Sequence, residues 1–385
     1  MRLLFVGDLF LGGDAQRNEI GKIIHSKAFW SADTKIANLE HPISNHALCA
    51  DKCTLFTDSS AMNNLKQMNI SAVCVANNHI HDKLDQGILD TLAELDNAHL
   101  GHFGAGMDDS HARMPWDIND EICILGYCDF GHSYLNKVQV ASHNKPGVNP
   151  LRLESILRDL GELRDGKKAI LFFHWGREHV WLPPVEDIHL AKRLLEDDRV
   201  LMIIGSHSHR IQGYIRHNGK YAFMSLGNFL FPNFFMRPPA QITYPNTEEA
   251  GYLTTREYHP VFALTYKKWP AVCRASIMVD YDTERSTISI HPVYQEDASP
   301  TIIDLEGLRR RVVVFWVFFL SGVYKSPRPV YATIALLHHK ASIYWRYAKI
   351  AFFYLRSLGM FETPRYIIGL LSYHRKRQNP GNSEK

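Results

Sequence analysis

The feature that most constrains this chain is a repeated event: a short, β-rich apolar run that stops at a polar residue. The clearest runs are Leu3–Val6, Ile36–Leu39, Ala72–Ala76, Ile122–Tyr127, Ala169–Phe173, Val200–Ile204 and Tyr221–Leu226. A strand that is apolar on both faces needs cover on both faces, so these runs suit interior strands between other layers. Between two of them Leu84, Ile88, Leu92 and Leu95 recur at helical spacing. Asp82 and Asp85 lie near the start of that stretch, where negative charge complements a helix dipole. Further helices are expected over Leu151–Leu163 and, after Pro183-Pro184, over Val185–Leu195. Strands alternating with helices define an α/β fold. Around Cys273–Pro292 the pattern changes to strict alternation, which predicts a late antiparallel hairpin.

The residues at the end of each run are chemically uniform. Leu3–Val6 leads into Gly7-Asp8, and Ile36–Leu39 into Glu40. Ala72–Ala76 leads into Asn77-Asn78-His79, and Ala169–Phe173 into His174. Val200–Ile204 leads into Gly205-Ser206-His207-Ser208-His209, and Tyr221–Leu226 into Gly227-Asn228. Open α/β sheets bind ligands beyond the carboxyl ends of their strands, so these groups are placed to converge. Singly, each has a plain reading: Asp8 as a turn residue, Asn77-Asn78 as a tight turn, a strand-end His as a packed side chain. His207 and His209 stand two apart, and on a strand-like segment that spacing sends both rings to one face. Together, Asp8, Glu40, Asn78, His174, His207 and His209 form an oxygen and nitrogen donor set suited to Mn, Fe or Zn. It is too rich in imidazole for Ca or Mg alone, and too large for one tetrahedral zinc. Glu40 bridging two divalent metal ions accounts for the surplus. Such a pair clamps a phosphoryl group and acidifies water.

These residues, in this order, resemble the CapA branch (capsule and poly-γ-glutamate synthesis proteins) of the calcineurin-like metallophosphoesterase superfamily. The matching blocks are Gly7-Asp8 with Leu11-Gly12, Ala37-Asn38-Leu39-Glu40-His41-Pro42, and Ala76-Asn77-Asn78-His79 with Asp82 and Gly87. Gly104-Ala105-Gly106, His174-Trp175-Gly176, Gly205-Ser206-His207-Ser208-His209 and Ser225-Leu226-Gly227-Asn228-Phe229 complete them. The resemblance implies a four-layer αββα sandwich with its sites on strand-to-helix loops. It also implies that Glu40 bridges two metals, with Asp8 and His209 at one and Asn78, His174 and His207 at the other. His79 would be a general acid near the leaving group, oriented by Asp82. Asn228 and Trp175 would shape the pocket. The superfamily usually presents Asp-x-His in its first block, whereas this chain has Phe10 at the third position; His41 and Asp14 are nearby candidates to replace the imidazole.

Charge divides the 385 residues unequally. Residues 301–385 hold 14 Lys+Arg against 4 Asp+Glu, while residues 1–300 hold 29 against 36. The expected organisation is therefore an acidic CapA-like domain over 1–300 and a basic, aromatic, helical appendage over 301–385. Val312–Tyr324 carries no charge, but 13 residues of helix reach only about 20 Å of the roughly 30 Å hydrocarbon core. The alternation of aromatics with Lys/Arg after residue 330 suits either a cap on the fold or peripheral contact with an inner membrane surface. The apolar start, Leu3–Val6, is too short for a signal peptide, and the six cysteines show no paired spacing. A cytoplasmic chain is expected on both counts. The function expected is metal-dependent, phosphoesterase-like hydrolysis of an anionic phosphoester or polymer in capsule or other extracellular polymer synthesis. The rival from another class is a non-catalytic component that binds an anionic polymer or lipid-linked intermediate. Nucleic acid is a poor candidate for an acidic body.

Overall fold

A computed structural model describes residues 1–378 except 18, 131–137, 239, 252, 257–260 and 262. The chain divides into two compact units, residues 1–335 and 336–385. The first contains two sheets that share one core. In the first sheet β1 (Arg2–Leu9), β2 (Thr34–Leu39), β3 (Ala72–Cys74) and β4 (Gly101–Phe103) run parallel in that order. In the second, β5 (Ile122–Cys128), β6 (Lys168–His174), β7 (Val200–Ser206) and β8 (Lys220–Phe223) do the same. The short β9 (Asn228–Leu230) pairs with the end of β1. The expected hairpin is present as β10 (Ala275–Asp282) and β11 (Thr287–Gln295), with β10 antiparallel to β1.

Alternation along the second sheet shows why its strands read as apolar throughout. Ile122, Ile124, Ile170, Phe172, Met202 and Ile204 face the core shared with Phe5, Ile36 and Val73 of the first sheet. Their neighbours Leu125, Tyr127, Leu171, Phe173 and Ile203 face the other way. There they meet α3 (Leu153–Gly161) and α4 (Val185–Leu195) through Ile156, Leu160, Ile188 and Leu194. On the first sheet α1 (Ala61–Gln67) and α2 (Leu84–Asn97) bury Leu65, Ile88, Leu92 and Leu95 in the shared core. Each such side chain contributes about 1.5–3 kcal/mol by leaving water. The mixed α/β expectation therefore holds.

Two elements differ from the sequence reading in extent. A small sheet of Phe234–Arg237, Gln241–Ile242, Thr254–Arg256 and Thr265–Lys267 follows β9, in a stretch with no clear alternation. It covers a separate cluster of Phe10, Phe231, Phe234, Met236 and Trp269. The charge boundary at residue 300 is not the packing boundary. Helix α5 (Gly307–Val323) buries Val317, Leu320 and Ser321 within the first unit, and Tyr331 is buried there as well. A final helical stretch, α6 (Arg328–Gln378), is interrupted at Gly359. Among the described residues no helix is long and apolar enough to cross a membrane, and no disulfide joins the six cysteines.

Strand β1 carries a bulge where it approaches its functional end. Phe5 pairs with Ile36 but Asp8 pairs with Asn38, so two residues of β1 oppose one of β2. Such a bulge re-aims the side chain that follows it. Gly7 lies inside it, and a Cβ there would stand 1.8 Å from the Gly227 carbonyl oxygen. Gly7→Ala is therefore expected to lower unfolding free energy by about 1–3 kcal/mol, read as a lower denaturant midpoint with an unchanged slope.

Candidate metal centre

Five strand ends bring the polar residues together. Asp8 is near the end of β1, Glu40 follows β2, and His174 closes β6. Asn78 and His79 lie in the loop beyond β3, and His207 and His209 in the loop beyond β7. All seven are buried. Two donor groups result: Asp8, Glu40 and His209, and Glu40, His174 and His207, each with ligand atoms within 4.8 Å of one another. Glu40 belongs to both. Asn78 joins the second group, its Oδ1 lying 2.7 Å from His174 Nε2.

One amide aims the two carboxylates. Asn38 Nδ2 donates to Asp8 Oδ1 at 2.9 Å and reaches Glu40 Oε2 at 3.5 Å. Asn38 is itself held by Asn77, which donates to Asn38 Oδ1 at 3.4 Å and to the Leu39 carbonyl at 2.8 Å. The second oxygens, Asp8 Oδ2 and Glu40 Oε1, are buried with no hydrogen-bond partner among the described residues. They face imidazole nitrogens instead: His209 Nε2 lies 3.5 Å and His174 Nε2 3.9 Å from Glu40 Oε1, and His209 Nδ1 3.5 Å from Asp8 Oδ2. The two Nε2 separations from Glu40 suit donors around a shared ion, where bonds of about 2.1 Å set edges of about 3.4 Å.

The imidazoles are oriented from behind. Ser206 Oγ donates to the Phe173 carbonyl at 3.1 Å and lies 3.0 Å from His174 Nδ1, which Asn38 Nδ2 also approaches at 3.3 Å, so the ring is held with Nε2 toward Asn78 Oδ1. His209 Nδ1 donates to Asn228 Oδ1 at 2.8 Å, which frees Nε2 toward Glu40. His207 and His209 do not owe their convergence to a strand. β7 ends at Ser206, and the two residues have φ of 88° and 53°. Left-handed turns in the loop, not strand period, bring their ring centroids to 6.4 Å.

Neither donor group includes a Lys or Arg. Burial raises the Glu40 carboxyl well above its usual range, and Asp8 adds to this. Burial lowers His174 well below its usual value and lowers His207 to about 4. Imidazoles held neutral at His174 and His207, beside a Glu40 carboxyl that resists ionisation, form a donor set suited to a cation, which would reverse both tendencies. The residues thus fit divalent metal.

His79 and Asp82 form a second constellation. His79 Nδ1 lies 2.6 Å from Asp82 Oδ2, which also accepts from the Leu55 backbone N–H at 2.6 Å. Sequence reasoning missed the third member, Lys52. Its Nζ pairs with Asp82 Oδ1 at 2.6 Å and donates to the Asn78 carbonyl. Burial pushes the Asp82 carboxyl up, but Lys52 and His79 outweigh it and hold it below the usual range. Lys52 sits in the long irregular segment between β2 and α1, where no strand end flags it. Glu178 and His179 were missed too. Burial pushes Glu178 up, yet the imidazoles of His207, His179, His209 and His79 bring it down to about 2. Both lie only a few residues beyond His174, in a loop already marked by a strand end.

Three expectations are corrected. Trp175 does not shape the pocket: it is buried on the opposite face of the second sheet, T-shaped against Phe173, with Nε1 donating to the Met224 carbonyl at 2.9 Å. His41 does not stand in for the imidazole absent at Phe10, because its Nε2 accepts from the Leu11 N–H at 3.2 Å and its Nδ1 lies 3.2 Å from Thr57 Oγ1. Asp14 is engaged by the Tyr266 hydroxyl. Phe10 packs against His41, Phe231 and Phe234.

Residues 2–233 match the family model for the bacterial capsule synthesis protein PGA_cap, and the chain belongs to that family. It is similar to the PGA biosynthesis protein CapA of Bacillus subtilis, with 29% identity over 241 residues, 59% of this chain and 62% of that protein. It is also similar to the capsule biosynthesis protein CapA of Bacillus anthracis, with 25% identity over 214 residues, 52% of this chain and 51% of that protein. The matched regions span less than two thirds of either relative. Among solved structures, TT1561 of Thermus thermophilus aligns at 11% identity with a TM-score of 0.38, over 75% of this chain and 97% of that one.

Removing the charge conflict at Glu40 has a defined sign. Its folded pKa lies above the unfolded value of 4.5, so its contribution to stability is present at low pH and is lost as pH rises through the folded value. In chelator-stripped protein near neutral pH, Glu40→Gln is expected to raise the melting temperature. Saturating Mn²⁺ should stabilise the wild type by about 2.7 kcal/mol at a hundred times its Kd and leave Glu40→Gln almost unchanged. Thermal melts with and without chelator check both arms.

Proposed function

We propose that the chain is a metal-dependent, phosphoesterase-like hydrolase serving capsule or poly-γ-glutamate synthesis, built on an αββα metallophosphoesterase sandwich. The observation that carries the reading is the pair of buried oxygens, Asp8 Oδ2 and Glu40 Oε1, that no hydrogen bond among the described residues satisfies and that face imidazole nitrogens. Buried carboxylates persist when a cation compensates them. In this reading Asp8, Glu40 and His209 would hold one divalent ion, and Glu40, Asn78, His174 and His207 would hold the other. Bound ions of the Mn, Fe or Zn class would polarise a phosphoryl oxygen and lower the pKa of water.

The protein's own residues then have separate tasks. Asn38 keeps both carboxylates aimed inward, and Ser206 and Asn228 hold the rings of His174 and His209 in place. Asp82 accepts the Nδ1 proton of His79, which leaves the Nε2 lone pair to take up a proton released by the attacking water and hand it to a leaving oxygen. Lys52 keeps Asp82 ionised for that task and ties it to the Asn78 backbone. The family names of the relatives in Bacillus support the pathway, and an anionic polymer or phosphoester is the substrate class that a cationic centre would attract.

Chelated protein reloaded with Mn²⁺ and assayed on bis(p-nitrophenyl) phosphate tests this. Activity is expected only after loading, and His174→Ala combined with His207→Ala should reduce it to background. His79→Ala should cost about 10²–10⁴-fold in kcat while leaving the metal-induced rise in melting temperature intact. Loaded wild type no faster than the double variant would refute catalysis. Polymer binding that survives chelation without hydrolysis would instead favour a carrier role.

A further inference from the structure

Helix α5 has two apolar faces, and the fold uses only one. On the inner face Val317, Leu320 and Ser321 are buried. Ser321 Oγ accepts from the Tyr214 N–H at 2.8 Å and donates to the Val317 carbonyl at 2.7 Å. Just past the helix Tyr324 Oη accepts from the Gly213 N–H at 2.9 Å, and Trp316 packs edge-on against Trp181 at 5.5 Å. These contacts fix the rotation of the helix about its axis. The outward face then consists of Leu308, Val312, Phe315 and Phe319, exposed by 76%, 56%, 68% and 48%. Their spacing forms one continuous stripe. Phe318 flanks it, and the Phe315 and Phe319 rings stack at 6.3 Å. A contiguous exposed apolar face of this kind marks an interaction surface.

The charge around the stripe identifies the partner. Arg309, Arg310 and Arg311 stand at its N-terminal end, and Lys325 and Arg328 beyond its C-terminal end, all exposed. No Asp or Glu occurs from residue 307 to 335, whereas residues 1–300 are net acidic. We propose that this face rests on an anionic lipid bilayer, with α5 parallel to the surface. The stripe offers apolar side chains to the acyl boundary, and the cations at its ends reach the headgroups. At 17 residues the helix extends about 25 Å and lies on the bilayer without crossing it. The proposal is independent of the metal centre and of catalysis.

Co-sedimentation of the full chain with phosphatidylglycerol-rich vesicles and with phosphatidylcholine vesicles tests it. The wild type is expected to bind the anionic vesicles and to be released by salt. Reversing charge at Arg309→Glu, Arg310→Glu and Arg311→Glu together should weaken partitioning by at least about 100-fold. Phe315→Glu with Phe319→Glu should reduce it to the level seen on phosphatidylcholine. Melting temperatures report whether these variants stay folded, and the milder Phe319→Trp gives a second measurement, indole emission quenched by brominated anionic lipid. Equal binding to both vesicle types, unaltered partitioning of folded variants, or an indole at position 319 that brominated lipid fails to quench would overturn the proposal. So would a dimer in light scattering that Phe315→Glu with Phe319→Glu dissolves while the wild type binds no vesicles, since the face would then belong to a second copy.

Discussion

One side-chain amide sets the geometry on which the centre depends. Asn38 Nδ2 touches one oxygen of Asp8 and one of Glu40, so each carboxylate turns its other oxygen inward. Two carboxylates taken out of water are costly together unless a cation compensates them. The arrangement therefore calls for positive charge where the six donors meet. The fold supplies the convergence through parallel neighbours. β1 and β2 lie side by side, the bulge at Val6-Gly7 rotates Asp8 next to Asn38, and the second sheet brings His174 across the shared core.

The rest of the geometry is held by backbone strain as well as by strands. His207 and His209 both occupy left-handed conformations, each costing roughly 1–3 kcal/mol for a residue with a Cβ. Such strain survives when the surroundings over-determine it. Here the His179 N–H donates to the Ser208 carbonyl at 2.8 Å, and the Ser208 hydroxyl to the Arg210 carbonyl at 2.8 Å. The loop is pinned at its middle while its two rings point into the centre. Strained residues gathered around a donor cluster are what pre-organisation requires, because a relaxed loop would have to order itself when a ligand arrives.

Much of this was legible in the sequence, for identifiable reasons. Strands with apolar residues on both faces declare themselves, since helices cover the second sheet and hide its outer alternation. The end of a parallel strand is a place where polar residues have few other uses, so Asp8, Glu40, Asn78, His174, His207 and His209 could be read off as a set. The reasoning behind His207 and His209 failed even though the rings do converge, because a turn and a strand can produce the same juxtaposition. Lys52 could not be read at all. It reaches Asp82 from an irregular segment whose path is set by tertiary contacts such as the Thr54 N–H to Ala240 carbonyl bond. Trp175 was misplaced because it follows His174 immediately, and in strand geometry adjacent residues face opposite sides. Helix α5 was assigned by its charge to an appendage, whereas its buried stripe of Val317, Leu320 and Ser321 belongs to the first unit.

The two donor groups that share Glu40 are unequal, and Phe10 is the reason. Where an imidazole would have entered the first group, a fully buried ring packs among His41, Phe231 and Phe234. His41 cannot compensate while its ring is committed to the Leu11 amide and the Thr57 hydroxyl. The first group is left with two carboxylates and one imidazole, and the second with one carboxylate, two imidazoles and an amide oxygen. In the proposed reading the first group would suit Mn by donor hardness, and the second Zn or Fe. In the proposed reading the second group would therefore hold its ion more firmly. The first would be the more open of the two, with fewer protein ligands and more room for an anionic oxygen from outside.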